Sequence, residues 1–72
     1  MSAKVVELRP DEEYITLQSL LKLTAIISTG GMVKGFLEDN VVLVNGEREN
    51  RRGRKLYSGD EIRVPSAVFL IK

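Results

Sequence analysis

The sequence contains no cysteine, no histidine and no tryptophan. The absence of cysteine excludes disulfides and thiolate metal sites, and the absence of histidine removes the imidazole ligand that zinc and most transition metals use. We therefore expect no metal ion and no cofactor. Stability must come from packing alone.

Long apolar runs are also missing. No segment approaches the roughly 20 apolar residues that span a bilayer, and the first residues lack the apolar centre of a signal peptide. We therefore expect a cytoplasmic protein with no membrane partner. With 72 residues, 43% of them hydrophobic and 29% charged, the chain has the size and balance of one folded domain over residues 1–72. A separate catalytic domain has no room.

The sequence as a whole has almost no excess of positive charge, but one short segment has a clear excess. The formal net charge is only +1. Residues 47–55 hold five cations and two acids, which gives +3, so the other 63 residues together carry −2. Because charges further apart than a Debye length of ~8 Å are largely screened, the local cluster matters more than the total. We call residues 48–55 the basic interval, and its cations are Arg48, Arg51, Arg52, Arg54 and Lys55.

Two segments carry a helical pattern, and the first follows Thr16. The hydroxyl of Thr16 is placed to cap the first turn. The predicted apolar stripe lies at the spacing of an amphipathic helix and consists of Leu17, Leu20, Leu21 and Thr24. We expect the apolar residues at the end and exit of this helix to be buried as well: Leu23, Ile26 and Ile27.

The second predicted helix lies in "STGGMVKGFLEDN". Ser28 or Thr29 can cap it, Lys34 points away from its apolar face, and Asn40 is suited to end it. Its predicted stripe consists of Met32, Val33, Phe36 and Leu37.

Several strands are predicted around these helices. The valine-rich "KVVEL" near the start indicates an edge strand. In "VVLVNGERE", Asn45 and Gly46 suit a two-residue type I′ turn, which predicts a hairpin. "DEIRV", introduced by Gly59 and Asp60, and "SAVFLIK", after Pro65, predict two more strands. The order is β-α-α-β-β-β-β, an α+β fold in which two helices pack on one face of a small antiparallel sheet.

No pattern indicates catalysis. The acidic pairs are adjacent in sequence, and adjacent residues do not share a helical face. "STGG" invites a phosphate-loop interpretation, but it lacks the lysine and hydroxyl at the required spacing and follows a helix where a phosphate loop follows a strand. We therefore expect a protein that is not an enzyme.

The basic interval has two interpretations from its residues. It is either a charged loop that is merely solvated or a surface that binds an anionic partner. Arginine outnumbers lysine in it, and the planar guanidinium suits phosphate oxygens. Gly53 allows a close approach, and Tyr57 is either a stacking ring or a core residue. Lys34 and Lys22 are placed to extend the patch.

The order of motifs resembles the S4-type RNA-binding domain, the αL arrangement found in ribosomal protein S4, pseudouridine synthases and tyrosyl-tRNA synthetases. A helix, a hydroxyl-capped turn and a second helix bearing a cation precede "VLVNG", and "SGDEIRV" follows a basic stretch. The resemblance covers residues 15–64. Within the family the chain looks most like the small stand-alone YaaA-type S4 domain proteins.

What the resemblance implies is binding of structured RNA, with ribosomal RNA or an assembling ribosomal particle as the expected partner of a monomer. Many S4 domains carry Ser-Arg at the start of the second helix, and here Gly30 stands in place of that arginine. We therefore expect the basic interval to contribute more of the RNA binding than the second helix. The expected RNA-binding residues are Lys22, Thr29, Lys34, Arg48, Arg51, Arg52, Arg54 and Lys55.

The residues alone are also compatible with two other functions. The basic interval suits an acidic protein partner as well as RNA, which would make the chain a small interaction adaptor. Charge alone does not separate RNA from DNA. A small rigid domain on A-form RNA would recognise shape and phosphates, because the deep and narrow major groove hides the base edges.

Overall fold

A computed structural model describes residues 3–72. It contains seven strands and two helices in these residues, with one 3₁₀ turn (Gly30–Met32) before the second helix. In chain order the elements are β1 (Lys4–Val6), β2 (Ile15–Thr16), α1 (Leu17–Leu23), α2 (Val33–Asp39), β3 (Leu43–Val44), β4 (Glu47–Arg48), β5 (Lys55–Leu56), β6 (Glu61–Val64) and β7 (Ala67–Ile71).

The strands form two sheets. Five strands make the larger sheet in the order β1-β7-β6-β3-β4, and all neighbours are antiparallel except β1, which runs parallel to β7. The predicted edge position of β1 is confirmed. The α+β class, with two helices and a mostly antiparallel sheet, is confirmed too. The small sheet of β2 and β5 is an addition that the sequence does not predict.

The core lies between the helices and one face of the larger sheet. Along β6 the side chains alternate between exposed and buried, which is the period of a half-buried strand. The three leucines of the predicted α1 stripe, Leu17, Leu20 and Leu21, are buried, whereas its fourth member, Thr24, is half-buried at the end of the helix. The buried apolar residues are Leu17, Leu20, Leu21, Ile27, Val33, Leu37, Val42, Val44, Leu56, Ile62, Val64, Phe69 and Ile71.

Helix α1 begins and ends with identifiable caps. The Oγ1 atom of Thr16 accepts a hydrogen bond from the backbone N–H of Ser19 at 3.2 Å, as predicted. At the other end Ala25 has a left-handed backbone, with φ of 62°. Its N–H donates to the carbonyl of Lys22, and the next N–H donates to the carbonyl of Leu21. This is a Schellman motif with alanine where glycine is usual.

Two predicted core residues are exposed, and those predictions were wrong. Leu23 is 68% exposed because it lies off the stripe formed by the other leucines of α1. Met32 is 49% exposed because it belongs to the 3₁₀ turn, whose side-chain directions differ from those of the helix that follows. Ile27 is buried and Ile26 is half-buried, as predicted.

The start of the second helix lacks the side-chain cap that the sequence predicts. Thr29 is the N-cap of the 3₁₀ turn, but its side chain makes no capping hydrogen bond. Asn40 ends α2 as predicted, and both its backbone and side-chain N–H groups donate to the carbonyl of Phe36. Each helix has seven residues. Among the described residues, no helix has the length and apolar character needed to cross a membrane.

The two turns around the basic interval are joined to each other. Asn45 and Gly46 have φ values of 53° and 83°, which confirms the type I′ turn. The Nδ2 atom of Asn45 donates to Oδ1 of Asp60 at 3.0 Å, and its Oδ1 accepts from the N–H of Glu61 at 3.0 Å. This link fixes both ends of the chain segment that carries the basic interval.

Candidate nucleic-acid interface

The basic interval is held against the start of α1. The N–H groups of the first turn of a helix have no partner within the helix. Here the N–H of Leu17 donates to the carbonyl of Arg54 at 2.9 Å, and the N–H of Gln18 donates to the carbonyl of Arg52 at 3.0 Å. The pairing of β2 with β5 continues this contact. The interval is therefore an ordered segment rather than a loose solvated loop.

A buried carboxylate organises the same segment. Glu49 is only 6% exposed, and its Oε2 accepts from both the backbone N–H and the Nε of Arg51 at 3.0 Å. Its Oε1 accepts from Nη1 of Arg54 at 2.7 Å. The hydrogen bond from the Arg51 side chain is the largest cause that lowers the pKa of Glu49 to about 2, while burial acts in the opposite direction. The same contact raises the pKa of Arg51.

Sequence reasoning missed the role of Glu49. A glutamate that follows a short strand has the pattern of an exposed residue, and no local signal distinguishes a buried one. Its two arginine partners lie two and five residues later in the chain. The structure therefore divides the cations of the basic interval into Arg51 and Arg54, which bind Glu49, and Arg48, Arg52 and Lys55, which do not.

Three cations from separate parts of the chain line one open groove. Lys34 extends from α2, Arg48 from β4, and Arg52 from the turn of the basic interval. The groove has a volume of about 620 Å³. We call it the basic groove, and its lining residues are Lys34, Leu37, Glu38, Arg48, Asn50 and Arg52.

The cations of the basic groove keep their charges available. Within residues 3–72, no carboxylate forms an ion pair with Lys34, Arg48 or Arg52. All three residues are exposed. Ammonium and guanidinium groups on an open groove can donate to the oxygens of several phosphates at once. The arrangement is therefore suited to a polyanion.

A second groove lies on the other side of the basic interval. It has a volume of about 390 Å³ and is lined by Arg51, Gly53, Arg54, Lys55 and Tyr57. Tyr57 is 47% exposed, so of the two interpretations of this ring, the core residue is wrong.

The remaining predicted site residues lie elsewhere. Lys22 lines a separate groove with residues of the N-terminal segment, including Glu7 and Arg9. Thr29 is exposed beside Gly30, and a Cβ added to Gly30 would lie 2.9 Å from Nε2 of Gln18. The structure thus brings Lys34 to the basic interval but does not bring Lys22 there.

The chain is similar to known proteins over most of its length. The profile of one family, described as the S4 domain, matches residues 6–72. A protein of Bacillus subtilis (strain 168) named "Probable ribosome maturation protein RlbA" is 56% identical over 54 residues, which cover 75% of this chain and 76% of that protein. No solved structure matches the chain. The matched region includes both helices, the Asn45-Gly46 turn and the basic interval.

Proposed function

Because the chain belongs to the S4 domain family, we propose that it binds structured RNA through the basic groove and catalyses no reaction itself. The observation that carries the proposal is the convergence of Lys34, Arg48 and Arg52 on one open groove, where none of them forms an ion pair with a carboxylate of residues 3–72. The groove is built by a helix and a hairpin, which are the elements that the family resemblance assigns to the phosphate backbone.

Electrostatics gives the proposal its physical basis. Each cation that neutralises a phosphate releases a counterion, and this release drives much of the binding of proteins to nucleic acids. Lys55, on the basic interval, adds to the three cations of the basic groove and forms no ion pair within the described residues. Arg51 and Arg54 contribute by position and by the donors that Glu49 does not use. Thr29 and Lys22 would meet RNA only at the margins of this surface.

The proposed target is ribosomal RNA or an assembling ribosomal particle, bound by a monomer in the cytoplasm. The name of the Bacillus subtilis relative, which describes a ribosome maturation protein, supports this target. Recognition would depend on the shape and phosphates of a double-stranded region, because base edges in A-form RNA are hidden in the major groove.

Crosslinking in cells tests the proposal. The tagged protein is crosslinked, purified with and without ribonuclease, and the attached RNA is sequenced. We expect ribosomal RNA to dominate the attached sequences and the partners to disappear after digestion. Competition between duplex RNA and duplex DNA for the purified protein should favour RNA. Protein partners that survive digestion, without enrichment of RNA, would instead support the adaptor function.

A further inference from the structure

The small sheet of β2 and β5 has two unlike faces. Its register pairs Ile15 with Leu56, and one further step along that register brings Tyr14 opposite Tyr57. Side chains alternate between the faces of a sheet. Leu56 is buried and Ile15 half-buried on the inner face, so Tyr14, Tyr57 and Lys55 share the outer face.

The two tyrosines form a pair that is left open to solvent. Their ring centroids are 5.8 Å apart and their planes are tilted by 51°. Tyr14 is 37% exposed and Tyr57 is 47% exposed. The chain has four aromatic residues, two of them phenylalanines, and Phe69 is buried while Phe36 is half-buried. The exposed aromatic surface is thus concentrated at one place.

The backbone around this pair is fixed. The N–H of Tyr57 donates to Oδ2 of Asp60 at 2.7 Å, and its carbonyl accepts from the N–H of Asp60 at 3.0 Å. Asp60 is itself bound by Asn45 through its other carboxylate oxygen. Tyr57 is therefore presented by a rigid turn and needs little ordering when a ligand binds.

Cations share this surface with the rings. The Nζ atom of Lys55 lies 5.0 Å from the centroid of the Tyr14 ring, and Tyr57 lines its groove together with Arg51 and Arg54. A ligand that combines a flat ring with a negative charge matches this surface. A nucleotide has both, because its base can stack on an aromatic ring while its phosphate meets the cations.

The turn of the basic interval, from Arg51 to Arg54, lies between this surface and the basic groove. The N–H of Arg54 donates to the carbonyl of Arg51 at 3.2 Å, which closes the turn. Arg52, within the turn, lines the basic groove, whereas Arg51 and Arg54 line the groove of Tyr57. One RNA could therefore contact both sides of the basic interval.

We propose that Tyr14 and Tyr57 bind an unpaired base of an RNA whose double-stranded part occupies the basic groove. This inference rests on the proposed function and narrows its ligand to RNA with an unpaired nucleotide beside a duplex. Stacking on these rings does not depend on which base is present, since every base has a flat face.

Three RNA ligands separate the stacked base from the phosphate contacts. They are a short blunt duplex, the same duplex with unpaired adenosines at both ends, and the same duplex with abasic nucleotides in place of those adenosines. Fluorescence anisotropy gives the affinity of each ligand. We expect the adenosines to tighten binding about tenfold and the abasic nucleotides to leave it near that of the blunt duplex. Equal affinity for the two tailed duplexes would overturn the proposal.

Paired variants test the rings themselves. Tyr14→Leu combined with Tyr57→Leu should abolish the gain from the adenosines and leave the affinity for the blunt duplex unchanged. Tyr14→Phe combined with Tyr57→Phe should keep the gain, because phenylalanine retains the ring. Circular dichroism checks the fold of each variant. A gain that persists in the leucine variant would contradict the proposal.

Intrinsic fluorescence supplies a test that needs no variant. Tyr14 and Tyr57 are the only tyrosines and there is no tryptophan, so the whole emission of the protein comes from this face. Single-stranded oligoadenosine should quench it, whereas a strand of abasic nucleotides should not. If the blunt duplex does not bind at all, the proposed function is wrong. Quenching by oligoadenosine would still show, independently of that result, whether the tyrosines bind a base. Absence of quenching overturns the tyrosine site even if the blunt duplex binds.

Discussion

The Oε1 atom of Glu49 lies 2.7 Å from Nη1 of Arg54. This contact joins a nearly buried acid at the end of the hairpin to the last residue before β5. It holds the turn of the basic interval in one shape, and it occupies donors that would otherwise face a ligand. Within residues 3–72, the cations of the basic interval that form no ion pair are Arg48, Arg52 and Lys55, and the first two line the basic groove. The ion pairs of Glu49 therefore separate the arginines that hold the segment in shape, Arg51 and Arg54, from the arginines of the basic groove.

Removing the carboxylate of Glu49 should weaken the fold in a pH-dependent way. Glu49→Gln leaves the two arginines without their acceptor charge, and we expect a loss of about 2 kcal/mol in the free energy of unfolding at neutral pH. The pKa of Glu49 is lowered to about 2 in the folded state, against about 4.3 in an unfolded chain. Its contribution is therefore complete above about pH 5 and disappears as the pH falls towards 2.

Urea denaturation, followed by circular dichroism between pH 7 and pH 2, measures this effect. The difference between wild type and Glu49→Gln should shrink as the pH falls. Glu47→Gln is the matched control, since Glu47 is exposed and forms no ion pair within the described residues. A constant difference across the whole pH range would show that the carboxylate charge has no role.

The left-handed residue after α1 is a site where the fold can be stabilised. Ala25 has φ of 62°, a conformation that costs an L-residue about 1 kcal/mol and costs glycine nothing. Ala25→Gly should raise the free energy of unfolding by about 0.5 kcal/mol after the larger entropy of the unfolded glycine chain is subtracted. Ala67→Gly in β7, where φ is not positive, should lower it. A less stable Ala25→Gly protein would be inconsistent with the Schellman motif.

Replacing Gly30 with arginine should strengthen RNA binding. An arginine at this position would stand just before α2, near the helix that carries Lys34. The added Cβ meets only the end of the Gln18 side chain, its Nε2 and Cδ atoms, and this flexible end can move. Gly30→Arg should tighten RNA binding several-fold and steepen the salt dependence by about 0.7 to 0.9. Gly30→Gln fills similar space without charge and should do neither, so equal affinities for the two variants would argue against contact between RNA and this helix start.

The salt dependence of wild-type binding counts the phosphate contacts. Lys34, Arg48, Arg52 and Lys55 would neutralise four phosphates, so log affinity should fall against log salt with a slope of roughly −3 to −4. Arg52→Ala should reduce the slope by about 0.7 to 0.9, whereas Arg63→Ala, on β6, should not change it. A slope near zero for the wild type would contradict binding through phosphates.

Local chemistry made part of this structure predictable. The cap of Thr16 and the turn of Asn45 and Gly46 depend on residues that are neighbours in the chain, and both were predicted correctly. The class of the fold followed from the order of such local signals. The same signals placed Lys34 on the exposed side of its helix and concentrated the cations between two turns.

The remaining features depend on contacts between distant segments. Strands β2 and β5 have two residues each, which is too short for a periodic pattern, and their pairing brings Tyr14 to Tyr57 across the chain. The burial of Glu49 depends on how the turn folds back over it. Leu23 was predicted to be buried from its apolar side chain, but the geometry of α1 turns it to solvent.

The central claim is that RNA binds in the basic groove, and a comparison of charge-matched variants tests it most directly. One variant combines Lys34→Ala, Arg48→Ala and Arg52→Ala. The control removes the same number of exposed cations near β1, at the opposite edge of the larger sheet from β4, and combines Lys4→Ala, Arg9→Ala and Lys72→Ala.

Fluorescence anisotropy measures the affinity of both variants for duplex RNA, and circular dichroism checks that each variant is folded. We predict that the groove variant loses roughly 100-fold in affinity, because three exposed contacts with phosphates, each contributing up to about 1 kcal/mol, disappear, and that the control stays within a few-fold of wild type. Equal losses in the two variants would show that RNA responds only to the net charge and would contradict the groove as its binding site.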